Sequence, residues 1–171
     1  CYGKNHDLLD RVFPGQFSVE EKDRMSIEKE KQYQEEFRPH LKLINGLAEF
    51  LPDTKEQGIK MAIGSAAIMF NIDFVLDGLQ IRHYIDAIVS ADDVAFSKPH
   101  PETFLSCAEK IGIPPADCLV FEDAPKGVEA AANAGMDCFV LTTMHPEEDF
   151  AEYKNVVGFG RDFNSSLLNN I

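Results

Sequence analysis

The feature that most restricts the fold is a strand–helix–strand repeat in the second half of the chain. Residues 118–121 form an uninterrupted apolar run, and a second such run occupies residues 138–141. Between them, Pro125 suits the first position of a helix and Gly135 is a typical helix stop. Strands joined by one helix lie parallel, and strands that are apolar throughout are covered on both faces. The repeat therefore predicts a parallel sheet with helices on both faces.

The same alternation extends upstream to about Leu47. Further strands are predicted at residues 59–64 and 87–89, and a fifth at Val156 and Val157. Helices between the strands are indicated by apolar residues at i, i+3, i+4 and i+7 or a similar spacing. The predicted buried faces are Ile72, Val75, Leu76 and Leu79 in one helix, and Phe104, Leu105, Ala108 and Ile111 in the next. The fold class is α/β, with a doubly wound parallel sheet.

The N-terminal part has a different character, because it contains no convincing strand. Ser18 and Glu21 form a capping box that opens a long charged helix running to about Phe37. We therefore predict a small helical unit over residues 1–42 and an α/β core domain over residues 43–171.

Bulk composition excludes several classes of function. A formal net charge of −13 repels nucleic acid, and no apolar run reaches the roughly 18 residues that a membrane helix needs. The cysteines are scattered, which favours neither a zinc site nor a disulfide framework, and a reduced, cytoplasmic setting is the simplest fit. Two of them, Cys118 and Cys138, are predicted to be buried. The four are Cys1, Cys107, Cys118 and Cys138.

Polar residues follow three of the predicted strands, where ligands bind in parallel sheets. Ser65 follows the first strand, Lys98 the second, and Glu122 and Asp123 the third. A hydroxyl and an ammonium suit a phosphate, and adjacent carboxylates suit Mg²⁺. Taken singly, Ser65 is better explained as a helix cap and Lys98 as a surface lysine, and Asp123 could cap the following helix. Together they predict one phosphate site.

Two longer segments carry a family resemblance. Residues 97–105 and 118–131, with Ser65 upstream, closely resemble the haloacid dehalogenase superfamily. The nearest branch has a small helical cap and contains β-phosphoglucomutases and sugar-phosphate phosphatases. The resemblance extends from about Gly3 to Leu141.

The resemblance implies a role for each matching residue. Ser65 and Ala66 would bind the transferring phosphoryl group, Lys98 would hold it against the nucleophile, and Asp123, with Glu122, would bind Mg²⁺. Residues 1–42 would be part of the cap. The candidates for substrate binding in the cap are Lys4, Asn5 and His6.

The sequence departs from the family pattern in three places. Ser97 stands where the family usually has Gly, and residues 43–46 lack the usual Pro-Gly pair. More seriously, the chain has no strand carrying the nucleophilic aspartate and the second acid two residues later. Asp92 and Asp93 follow a strand, but they lie on the loop that leads to Lys98, so we interpret them as acidic loop residues and not as the nucleophile motif. We therefore expect the central first strand and its aspartate to lie upstream of Cys1.

The resemblance implies a Mg²⁺-dependent phosphatase or phosphomutase that acts on a small phosphorylated metabolite, a sugar phosphate, through an aspartyl-phosphate. We expect a cytoplasmic monomer that binds neither nucleic acid nor membrane. One alternative is a catalytically dead phosphate-binding or regulatory protein, which gains weight if the chain truly starts at Cys1. A receiver-like signalling domain is a third reading, although the helical leader and the residues around Lys98 argue against it.

Overall fold

The structure is a computed structural model that describes the backbone of residues 5–164 and the side chains of residues 9–164. The chain divides into two compact units, Cys1–Leu41 and Lys42–Ile171. Within the described residues, no helix is both long enough and apolar enough to cross a membrane.

The first unit is helical. It contains α1 (Asn5–Val12) and α2 (Val19–Phe37), followed by a short 3-10 turn at Arg38–His40. The predicted capping box is present: the Ser18 N–H donates to Glu21 Oε2 at 2.9 Å, and the Glu21 N–H donates to Ser18 Oγ at 3.2 Å. Two N–H groups that the helix itself leaves without acceptors are thereby satisfied.

The second unit alternates helices with strands, as the sequence predicts. Its helices are α3 (Leu47–Glu56), α4 (Met69–Gly78), α5 (Glu102–Ile111) and α6 (Pro125–Asn133). Its strands are β1 (Ala62–Gly64), β2 (Ala87–Val89), β3 (Leu119–Glu122), β4 (Asp137–Leu141) and β5 (Val156–Gly160). Short 3-10 turns lie at Arg82–Tyr84, Pro115–Asp117 and Glu147–Phe150.

Every strand pair is parallel, which confirms the predicted fold class. The strands form two sheets, β1–β2 and β3–β4–β5. Strands β1 and β3 are edge strands, and no strand among residues 5–164 pairs with their outer edges. An unpaired strand edge leaves a row of backbone donors and acceptors available to a further strand.

Helix α5 packs against both sheets. Phe104 and Ala108 belong to the main apolar core with Val120 and Val140, whereas Cys107 packs with Val89. A single helix therefore joins the two parts of the core.

The buried face of α5 differs from the prediction, although Phe104 and Ala108 are buried as expected. Leu105, predicted to be buried, is 40% exposed, and Thr103 and Cys107 are buried instead. Because α5 contacts β1 and β2 as well as the larger core, its buried stripe is turned toward residues 103 and 107.

The cysteines follow the prediction only in part. Cys138 is fully buried, but Cys118 is half-buried, because it precedes β3 instead of lying inside the strand. Burial raises the pKa of the Cys107 thiol to about 11 and that of Cys138 to about 12. These three cysteines are free, and their thiols are structural groups of the core.

Candidate functional site

The first component is the turn after β1. The Ser65 N–H donates to the Val89 carbonyl at 2.9 Å, which continues the pairing of β1 with β2 beyond the strand ends. The Ser65 hydroxyl oxygen accepts a hydrogen bond from the Ala67 N–H at 3.0 Å. Helix α4 begins later, with Ile68 at its N-cap position, so Ser65 is not a helix cap. Because its oxygen already accepts, its O–H can be donated to an anion.

The second component is Lys98, whose ammonium lies between the two sheets. It donates to the Gly64 carbonyl at the end of β1 at 3.2 Å, and it forms a short ion pair with Glu122 at the end of β3. It also lies 4.3 Å from the centre of the Phe104 ring. The Lys98 side chain is 14% exposed and that of Glu122 is 11% exposed. Lys98 is therefore not the surface lysine that the sequence alone allowed.

The loop that carries Lys98 is braced on both sides. Upstream, the Glu102 carboxylate accepts hydrogen bonds from the Ala95 N–H at 3.0 Å and the Phe96 N–H at 2.9 Å, and these bonds lower the pKa of Glu102. Downstream, the Asn133 amide on α6 donates to the Pro99 carbonyl at 3.0 Å. Lys98 and Pro99 are joined by a cis peptide bond.

The third component is the carboxylate pair after β3. Glu122 Oε2 accepts a hydrogen bond from the Asp123 N–H at 3.2 Å, while Oε1 accepts from Lys98. Asp123 Oδ2 accepts a bond of 3.4 Å from the Thr143 hydroxyl. Helix α6 begins at Pro125 without a side-chain cap, so Asp123 does not cap it. Both oxygens of Glu122 are thus engaged within the protein, and Asp123 is the carboxylate with spare acceptor capacity.

The acids between β2 and Lys98 accept hydrogen bonds from nearby backbone N–H groups. Asp93 accepts from the Ser90 N–H and from its hydroxyl, both at 2.7 Å, and these bonds lower the pKa of Asp93. Asp92 accepts a long bond of 3.5 Å from the Met69 N–H at the start of α4.

Comparison with known proteins identifies the family. Residues 6–141 match the model of the haloacid dehalogenase-like hydrolase family. This chain belongs to that family. The resemblance seen in the sequence is therefore confirmed.

Named relatives of this haloacid dehalogenase-like chain include phosphatases. Fructose-1-phosphate phosphatase YqaB of Escherichia coli is 48% identical over 77 residues, which are 45% of this chain and 41% of that protein. Hexitol phosphatase B of Escherichia coli is 35% identical over 115 residues, or 67% of this chain and 50% of that protein. The chain thus spans about half the length of the curated relatives that it matches.

Solved structures agree with this assignment. The β-phosphoglucomutase from Clostridium difficile is 27% identical and superposes with a TM-score of 0.79, covering 99% of this chain and 76% of that one. A haloacid dehalogenase hydrolase from Entamoeba histolytica superposes with a TM-score of 0.80 at 22% identity, over 94% of this chain and 74% of that one, and shows the fold alone. The branch that contains β-phosphoglucomutase is thereby supported.

In this haloacid dehalogenase-like site, Lys98 connects the other two components. It contacts Gly64 and Glu122, which directly precede Ser65 and Asp123 in the sequence. Ala66 follows Ser65 and is exposed at the same turn. The cap candidates are not among these residues: Lys4 lies outside the described residues, as do the side chains of Asn5 and His6.

The donor set fits Mg²⁺ better than a softer metal. Glu122, Asp123 and Thr143 offer only oxygen atoms, and magnesium is commonly held by one or two carboxylates together with water and substrate phosphate. Among the residues that the structure describes, no group of three or more histidine, cysteine or acidic side chains could hold a metal alone. Two carboxylates agree with this pattern of magnesium binding.

Sequence reasoning missed four residues of the site. Phe104 lies beside the Lys98 ammonium, Thr143 contacts Asp123, Glu102 braces the Lys98 loop, and Gly127 adjoins the Glu122 carboxylate. A signal existed only for Gly127, because a glycine inside an alanine-rich helix weakens the helix and usually has a packing reason.

Proposed function

We propose that the complete protein transfers a phosphoryl group from a small phosphorylated metabolite, a sugar phosphate, in a Mg²⁺-dependent phosphatase or phosphomutase reaction. The observation that carries this proposal is the position of the Lys98 ammonium, held between the ends of β1 and β3 by Gly64 and Glu122, the residues that directly precede Ser65 and Asp123. The names of the two Escherichia coli relatives, a fructose-1-phosphate phosphatase and a hexitol phosphatase, support the substrate class.

The nucleophile comes from outside residues 1–171 in this proposal. An aspartate carboxylate attacks phosphorus, the bond from phosphorus to the substrate oxygen breaks, and a second acid protonates that oxygen. Water then releases phosphate, or a second hydroxyl receives it. The free edges of β1 and β3 support a strand entering between the two sheets, which would bring its carboxyl end to Lys98.

Residues of this chain bind and neutralise the transferring group. Ser65 donates its hydroxyl to a phosphoryl oxygen, the turn at Ala66 approaches the same group, and Lys98 offsets its charge. Asp123, with Glu122, would hold Mg²⁺, which supplies further positive charge to the phosphate oxygens. Lys4 remains our first candidate for a residue that contacts the substrate, and Asn5 and His6 are the weaker candidates. The free thiols support a cytoplasmic location, and we expect a monomer.

Replacement of Asp123 by Asn in the full-length protein tests the proposal. We expect Asp123→Asn to abolish Mg²⁺-dependent release of phosphate from sugar phosphates and to leave the melting temperature nearly unchanged, because Asn keeps the size of the side chain and an acceptor for Thr143. Asp149→Asn, on an exposed carboxylate paired with His145, is the matched control and should stay fully active. Near-normal turnover by Asp123→Asn would refute the assignment. A wild-type protein that binds phosphate esters without turnover would instead favour the phosphate-binding alternative.

A further inference from the structure

Gly127 occupies an unusual position for a glycine. It is the third residue of α6, it is buried, and its backbone does not lie in the left-handed region that favours glycine. Glycine in the interior of a helix is less favourable than alanine. Neither the turn geometry nor the helix therefore calls for a glycine here, and the reason must lie in what surrounds its Cα.

The space beside Gly127 is filled by the Glu122 carboxylate. A Cβ added at Gly127 would lie 2.0 Å from Glu122 Cδ, 2.2 Å from Oε1 and 2.3 Å from Oε2. Separations below 3.0 Å do not occur between real Cβ atoms and their neighbours. By contrast, a Cβ at Gly64 would meet its nearest atoms, in Cys107 and Thr103, at 3.1 Å. The three atoms nearest to a Cβ at Gly127 thus all belong to one carboxylate group, at the end of a side chain that can move.

We propose that Gly127 is a positioning residue for the Glu122–Lys98 pair, an inference that rests on and deepens the proposed function. The missing side chain leaves the volume in which the Glu122 carboxylate reaches Lys98 with one oxygen and the Asp123 N–H with the other. A side chain at residue 127 pushes the carboxylate away from both partners. Lys98 then loses the anion that holds its ammonium beside the Gly64 carbonyl.

A thermal double-mutant cycle on the full-length, chelator-treated protein tests the contact itself. Gly127→Ala should lower the melting temperature when Glu122 is present, because the ion pair is displaced. In a Glu122→Ala background the same change should raise the melting temperature, because the space is empty and alanine is the better helix former. Equal effects of Gly127→Ala in the two backgrounds would overturn the proposal. If Gly127→Ala alone does not fold, a folded double variant supports the proposal and an unfolded one overturns it.

Mg²⁺ affinity, measured by calorimetry without substrate, tests the consequence for the site. We expect Gly127→Ala to weaken Mg²⁺ binding by about tenfold, as changes beside metal ligands commonly do, and to lower kcat more than it raises KM. Ala132→Gly is the matched control: it destabilises the same helix on its exposed side and should leave Mg²⁺ affinity unchanged. Unchanged affinity in Gly127→Ala would contradict the proposal.

These measurements separate the inference from the proposed function. If the wild-type full-length protein releases no phosphate from any sugar phosphate, the proposed function fails, yet the thermal cycle still decides whether Gly127 positions Glu122. If the wild type is active and the thermal cycle is additive, the proposed function stands and the role of Gly127 is wrong.

Discussion

Removal of either partner of the ion pair between Lys98 and Glu122 should be strongly destabilising, and the pair is also a part of the candidate site. Both side chains are almost buried, at 14% and 11% exposure, and the other contacts of the ammonium are the Gly64 carbonyl and the Phe104 ring. Removal of one partner of a buried pair leaves the other charge without compensation, at a cost of roughly 3–5 kcal/mol. Because both groups retain some exposure, we take the lower end, about 3 kcal/mol.

Lys98→Met tests this magnitude, since methionine keeps the apolar stem against Phe104 and removes the ammonium. The unit Lys42–Ile171 holds about 130 residues, and an unfolding entropy of about 2.1 cal/mol/K per residue converts 3 kcal/mol into a fall of roughly 10 °C in Tm. Glu122→Gln should cost a similar amount. The double variant leaves no unpaired charge, so it should cost less than either single variant, and far less than the sum of about 6 kcal/mol that additive effects would give.

The assay is thermal unfolding followed by circular dichroism, with a chelator present so that no divalent ion compensates Glu122. Asp149→Asn, which removes an exposed ion pair with His145, is the control and should leave Tm unchanged within error. The reasoning would be refuted if the two single variants each cost less than about 0.5 kcal/mol, or if their effects added within that error. In the active full-length protein, Lys98→Met should also reduce turnover by orders of magnitude.

Two further predictions concern the loop before α5 and the helical unit. Glu102→Ala should lower both Tm and turnover, because the Ala95 and Phe96 N–H groups lose their acceptor. The pKa of Glu102 is lowered in the folded protein, so the stability that its carboxylate contributes is complete above the ordinary value of 4.5 and is lost as the pH falls below it. The Tm difference between wild type and Glu102→Ala should therefore shrink in acid. A difference that stays constant with pH would contradict the role of Glu102 in holding the loop. Lys4→Ala should reduce kcat/KM for a sugar phosphate more than for a minimal phosphate ester such as p-nitrophenyl phosphate, whereas equal losses would contradict a role in substrate selection.

The strands could be predicted because most of their residues are apolar. All residues of β4 after Asp137 are buried, as expected for an apolar strand of a parallel sheet that is covered on both faces. Similarly, the capping box at Ser18 depends only on residues three positions apart, so local sequence suffices to place the start of α2.

The prediction of a buried helix face was wrong where the helix packs against two neighbouring surfaces at once. The periodicity of α5 suggests one buried face that includes Leu105, but the helix lies against both sheets, and the second contact buries Thr103 and Cys107. A threonine that packs against the Gly64 backbone has no apolar signature. A sequence pattern gives the spacing of the buried residues along a helix. The rotation of the helix about its own axis depends on how many neighbouring surfaces it packs against.

The reason for a glycine at residue 127 likewise could not be predicted from the local sequence. Its importance depends on the side-chain conformation of Glu122, which in turn depends on Lys98 reaching across from another loop. Local sequence shows only a glycine where a helix prefers alanine. Three residues, separated by up to 29 positions, must be assembled before the reason becomes visible.

The charges of the assembled site explain why a cation and a phosphate belong together there. One ammonium faces two carboxylates, Glu122 and Asp123, and the chain as a whole carries −13. A phosphate dianion entering this group would meet net negative charge, with only the Ser65 hydroxyl and Lys98 to offset it. A divalent ion held by Asp123, with Glu122, would reverse the local sign, while the ammonium keeps its hydrogen bond to the Gly64 carbonyl at the end of β1. The same carboxylates that would repel phosphate alone are thus what would make its binding depend on Mg²⁺.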